Sequence, residues 1–102
     1  MKYIYLIKNT EDSIYKVGIS KHPQKRLKEN QTGNSSLLEI IHTYPSKFAS
    51  RIETSLHNRY SFLRKEGEWF DFSIEEEVNF IENCKKIEKN LKFLIDSGNV
   101  FI

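Results

Sequence analysis

An α/β fold is predicted for this chain of 102 residues, on three observations. Two stretches near the start alternate their side chains with the period of two that a strand imposes. Later segments space their apolar residues by three and four, as one face of a helix does. No internal repeat, low-complexity tract or flexible linker separates the two patterns. One domain over residues 1–102 is therefore expected, long enough for a modest core without staples.

The first strand runs from Lys2 to Lys8, with Tyr3, Tyr5 and Ile7 on one face and Ile4 and Leu6 on the other. Asn9-Thr10-Glu11-Asp12-Ser13 is polar and turn-rich, and Ile14 to Ser20 reads as the second strand of a hairpin. Within it Ile14, Lys16 and Gly18 oppose Tyr15, Val17 and Ile19. Ser20 is a suitable N-cap and Pro23 suits a first helical turn, so a short helix is expected over His22–Gln31, stopping at Gly33. Leu37 to Tyr44, rich in Leu and Ile and ending before Pro45, fits a third strand. From Ser46 a helix follows, with Phe48, Ile52, Leu56, Tyr60 and Leu63 on its apolar face. Gly67 breaks that pattern, and Glu68-Trp69-Phe70-Asp71-Phe72 reads as a brief extended stretch or tight turn. Ser73 with Glu76 makes a capping box that launches a long C-terminal helix over about 74–97. Its stripe of Ile74, Val78, Ile81, Ile87, Leu91 and Leu94/Ile95 is expected to pack on the first part of the chain or on a partner.

Composition narrows the function classes. The single cysteine, Cys84, excludes an internal disulfide framework and a cysteine-rich zinc site, and its apolar-periodic setting reads as a buried thiol. The N-terminal apolar run is broken by Lys2 and Lys8 and is too short to span a bilayer, so a cytoplasmic protein without a membrane partner is expected. A net charge of +2 conceals an asymmetry. Residues 1–65 hold 12 Lys/Arg against 5 Asp/Glu, whereas residues 66–102 hold 4 against 9. Polyanion contacts are expected in the basic first part.

Several side chains could carry phosphodiester chemistry, which needs an activated water, charge neutralisation on the phosphate and help for the leaving oxygen. Tyr5 acts as a base only where cations stabilise its phenolate, and Lys16 could supply one if the hairpin register sets both on one face. Tyr3 and Tyr5 could equally cover one side of the sheet. Gly18 permits close approach of a backbone or relieves packing against a helix. Arg26 offers a fork for two phosphate oxygens. Lys21, His22, Lys25 and Lys28 would add attraction to a nucleic-acid backbone, or simply form a solvated helix face. Glu53 and His57 lie one helical turn apart. The carboxylate suits Mg²⁺ or Mn²⁺, with Glu68 as a further ligand candidate, and the alternative is a surface pair answering Arg51 or Arg59.

The order of these pieces is more informative than any one of them. Tyr3-Ile4-Tyr5, Tyr15-Lys16-Val17-Gly18, Arg26-Leu27, Glu53 with His57, and Gly67-Glu68-Trp69-Phe70 together resemble the GIY-YIG endonuclease superfamily, most closely its small phage-type DNA-binding-domain branch. The resemblance spans about residues 2–72. It implies a small α/β sandwich with a central three-stranded antiparallel sheet flanked by helices. It also implies one divalent ion (Mg²⁺ or Mn²⁺) at Glu53, Tyr5 as base or water-orienting group, and Arg26 on the scissile phosphate. Three departures stand out. Tyr3 occupies the place of the first-motif glycine, Lys16 that of the second-motif tyrosine, and Arg64-Lys65-Glu66 shows no counterpart to the asparagine that many relatives carry.

Two function classes follow. One is a divalent-metal-dependent endonuclease or nickase acting on DNA, for which Tyr5, Lys16, Arg26 and Glu53 are the catalytic candidates, with Tyr3, Tyr15, Gly18, His57 and Glu68 accessory. The other is a nuclease-like module that binds nucleic acid without cutting it, motivated by Lys16 and the missing asparagine. A homodimer through the C-terminal apolar stripe is a third expectation.

Overall fold

The computed structural model describes residues 1–98; the expectation of one domain over 1–102 takes in residues 99–102, which lie outside the described ones. The chain opens with strand β1 (Lys2–Asn9) and strand β2 (Ile14–Ser20). The turn between them is held by the Asn9 side chain, whose Oδ1 accepts the backbone N–H groups of Glu11 and Asp12. Helix α1 (Pro23–Thr32), strand β3 (Leu38–Ser46) and helix α2 (Ala49–Arg59) follow. A 3₁₀ turn (Ser61–Leu63) leads into two short strands, β4 (Arg64–Glu66) and β5 (Trp69–Phe70), and then helices α3 (Ile74–Val78) and α4 (Phe80–Asp96).

The sheet has five antiparallel strands in the order β3-β1-β2-β5-β4, where three were expected. The two extra strands are too short to show a period. Gly67, at φ +56°, turns β4 back on β5, and β5 then pairs Tyr15 with Phe70 and Lys16 with Trp69.

Alternation along β1 divides the molecule. Ile4 and Leu6, with Tyr15 and Val17 of β2, face α2 and α4 and join Ile52, Leu56, Tyr60, Phe70, Phe72, Phe80 and Cys84 in the main core. At roughly 1.5–3 kcal/mol for each large apolar side chain buried, this face dominates the stability. Tyr5 and Ile7 face the other way, with Leu38, beneath Leu27 of α1 and beside Trp69. Tyr15 thus points away from Tyr5: its hydroxyl donates to Glu77 at 2.8 Å, and its ring stacks on Phe72.

Four further expectations need correction. The third strand extends through Pro45, tolerated because β3 is an edge strand and Pro45 need not donate to a neighbour. The helix expected to carry Tyr60 and Leu63 ends at Arg59, and those two side chains reach the core from the 3₁₀ turn region. Ser20 does not cap α1. Its Oγ accepts the backbone N–H of His22, and the helix starts at Pro23 without a side-chain cap. The C-terminal helix breaks at Asn79 into α3 and α4. Ser73 and Glu76 do form the capping box, but Ile74, Val78 and Ile95 are exposed, while Ile81, Ile87 and Leu91 pack on the core. Polar bonds fix α3 instead: Glu77 accepts from Tyr15, pairs with Lys8 at 3.6 Å, and its backbone carbonyl contacts His42 Nε2 at 3.0 Å. Cys84 is buried, and burial pushes its thiol up to about 12.

Candidate functional site

Strand β5 is two residues long and covers β2 only at Tyr15 and Lys16. Beyond them the Val17 N–H still donates to the Glu68 carbonyl at 3.3 Å, and the Val17 carbonyl accepts from His57 Nε2 at 2.9 Å. From Gly18 to Ser20, β2 has no strand neighbour on that side. This leaves a notch at the sheet edge, into which side chains converge from both faces.

From the α1 face comes Tyr5. It pairs directly with Gly18, and its ring lies across that glycine; a Cβ there would stand 2.3 Å from the Tyr5 hydroxyl. The absent side chain is therefore what lets the phenol reach across β2. Tyr5 is only 1% exposed, and burial raises its pKa, opposed by the nearby Arg26 guanidinium. Arg26 is otherwise exposed on α1, with Glu29 at 3.3 Å as its carboxylate partner.

From α2 come Glu53 and His57, one turn apart, and from the β4–β5 turn comes Glu68. One ligand atom from each of these three lies within 4.8 Å of the others. Glu53 is half-buried, and desolvation raises its pKa; Glu68 adds to the rise, while His57 and Lys2 oppose it. Glu53 and Glu68 also act electrostatically on the Tyr5 phenol, which places the carboxylates and the phenol in one field.

The donor set fits a hard divalent cation. Two carboxylates, one of them desolvated, face each other at short range, an arrangement a cation would relieve. Glu53 and Glu68 are the residues that would hold it. His57 is fixed by other bonds: Nε2 is held on the Val17 carbonyl, Nδ1 faces Arg64 Nη2 at 3.3 Å, and the ring sits T-shaped on Phe70.

Lys16 shares the Tyr5 face, as the register Ile7–Lys16 and Tyr5–Gly18 requires. Its ammonium donates to Asn30 Oδ1 at 2.8 Å and lies 3.7 Å from Glu68. The cation that acts on the phenol is Arg26, not Lys16. Tyr3 lies partly exposed at the strand end, and Tyr15 is on the opposite face. Lys25 and Lys28 are exposed along α1, and Lys21 and His22, also exposed, precede it. Arg64 and Asn30 escaped the sequence reading. Asn30 was findable, since it stands four residues after Arg26 on one helix face and bonds the Arg26 carbonyl. Arg64 owes its place to the pairing of β4 with β5, which has no local signal.

Residues 2–85 match the T5orf172 domain over most of the chain. The chain belongs to the T5orf172 domain family. No curated protein and no solved structure matches it. All of the residues at the notch lie within the matched T5orf172 span. Among the described residues of this T5orf172 domain, no helix is long and apolar enough to cross a membrane.

Proposed function

We propose that this T5orf172 domain is a nuclease-like module of GIY-YIG type that binds nucleic acid, and that it hydrolyses DNA phosphodiester bonds as a divalent-metal-dependent endonuclease or nickase. The observation that carries the reading is the convergence of Tyr5, Arg26, Glu53 and Glu68 on one notch from three separate elements and a turn. An exposed arginine and two carboxylates, one of them desolvated, supply what a phosphodiester lacks in water: neutralisation of its charge next to a cation site.

The residues divide the work. Arg26 takes the phosphate oxygens with its fork. Tyr5, held neutral by burial, keeps its proton on the phenol oxygen and orients a water by hydrogen bonding. Glu53 and Glu68 hold Mg²⁺ or Mn²⁺. When bound, such an ion polarises the phosphoryl oxygen as a Lewis acid. Lys16 steers the Glu68 carboxylate, and Gly18 leaves the Tyr5 ring its path. Lys21, His22, Lys25 and Lys28 attract the backbone of DNA.

The test is a cleavage assay on supercoiled plasmid and on labelled single- and double-stranded oligonucleotides with Mg²⁺ or Mn²⁺. Nicking that vanishes both in EDTA and in Glu53→Gln is the expected result. Cleavage indifferent to either control would refute the metal-dependent mechanism.

A second reading, a module that binds without cutting, has its own observation. Lys16 stands 3.7 Å from Glu68, so a cation of the chain already answers part of the acidic cluster. Salt-sensitive DNA binding with no cleavage under any divalent ion is the outcome that would select it.

A further inference from the structure

Antiparallel register brings the start of β1 and the ends of β2 and β3 to one end of the sheet, with Tyr3 opposite both Ser20 and Pro45. A lysine stands at each of these three strand ends: Lys2 in β1, Lys21 directly after β2 and Lys47 directly after β3. They line a cavity of about 540 Å³, closed on its α2 side by Ala49 and Ser50. No carboxylate lines it. The adjoining cavity, which shares Met1, Ser46 and Lys47, holds Glu88, and cavities elsewhere on the molecule hold Glu75 and Glu82, or Asp12 and Glu66.

The three lysines are also unanswered elsewhere. Among the described residues, Lys8, Lys16, Arg26 and Lys92 make ion pairs, whereas Lys2, Lys21 and Lys47 make none. Gathering three ammonium groups around one concavity whose own wall holds no carboxylate raises the local potential. The first turn of α2 adds to that potential, because it contains no acid and has no side-chain cap.

The cavity adjoins the notch. Ser50, on the cavity wall, stands one helical turn before Glu53 on α2. A ligand that places negative charge at both positions must carry repeated anionic groups. We infer that this cavity is a second phosphate site, taking a backbone phosphate of the same nucleic-acid strand that presents a phosphate to Arg26. This assignment rests on the function proposed for the notch and adds Lys2 and Lys47 to the contact surface. Lysines hold the phosphate as point charges, so the site carries no sequence preference.

The experiment measures binding of a labelled duplex oligonucleotide across a salt series, in EDTA so that no strand is cut. It uses the full chain, the Lys2→Ala/Lys47→Ala variant, and Lys85→Ala/Lys89→Ala as an equal-charge control on α4. Losing one phosphate contact should make the slope of log K against log salt shallower by about 0.9 in the first variant and leave the control unchanged. A scan of neutral methylphosphonate linkages should find a position that costs the unsubstituted protein the same increment and costs the Lys2→Ala/Lys47→Ala variant nothing. An unchanged slope, or an equal loss in both variants, overturns the cavity assignment and leaves the proposed function standing. Failure of the unsubstituted protein to bind DNA overturns both.

Discussion

Gly18→Ala gives the sharpest test of how the notch is built. The added methyl would stand 2.3 Å from the Tyr5 hydroxyl, 2.5 Å from Cζ and 3.0 Å from Cε1, so the ring must move. Its freedom is small: Tyr5 is 1% exposed and shares a cluster with Ile7 and Leu38. Overpacking of this kind costs about 1–3 kcal/mol. For a domain of this size that lowers Tm by about 4 to 24 °C, since each kcal/mol corresponds to about 4–8 °C. Thermal unfolding followed by circular dichroism reads the effect directly. Tyr5→Phe in the Gly18→Ala background removes the nearest atom but leaves the ring carbon at 2.5 Å, so it should restore only part of the loss. In the plasmid assay, Gly18→Ala should fall to the level of Tyr5→Phe, because both remove the phenol oxygen from its place beside Arg26. A Gly18→Ala protein with an unchanged Tm would refute the argument that the missing side chain makes room for the phenol.

Other outcomes follow from the same contacts. Because the Glu53 pKa is raised in the folded state, its ionisation opposes folding, and stability falls as pH rises from the ordinary carboxylate range through the folded value. Glu53→Gln should therefore be more stable than the parent near neutrality, with the advantage disappearing as the buffer is taken to about pH 4. A Tm difference that stays constant across that series would contradict the desolvation argument. The buried Cys84 thiol, pushed up to about 12, should resist a thiol-specific reagent in the native protein and react after denaturation; prompt native labelling would count against its burial. Ser73→Ala removes the capping box of α3 and should lower stability by about 1 kcal/mol in denaturant titration, and no shift in midpoint would mean that polar bonds to Glu77 alone hold α3.

What could be read in the sequence was set by length and period. Eight residues of β1 are enough for alternation to separate Tyr5 from Ile4 and Leu6, and to send Tyr15 away from the site. The seven residues of β2 place Lys16 and Gly18 on the Tyr5 face by the same logic. Two-residue β5 has no period to read, and its position depends on pairing with a strand more than fifty residues earlier. The break at Asn79 was hidden because Ile74 and Val78 continue a helical stripe that the fold leaves exposed. In the site, residue types and order suggested Tyr5, Arg26, Glu53 and Glu68. Which cation acts on the phenol was not legible, because strand register sets Lys16 on the Tyr5 face and only packing turns it to Asn30. Lys2 and Lys47 carried no signal beyond composition; the three-strand register alone brings them together.

The brevity of β5 also has a meaning for how such a domain can diversify. A strand that stops after two residues leaves an aperture whose width is set by a turn, not by the core. Lengthening the two arms on either side of Gly67 would extend the pairing of β5 along β2 toward Ser20. Insertions in this turn can therefore tune access to the edge, from open groove to sealed sheet, without renegotiating the fold beneath it.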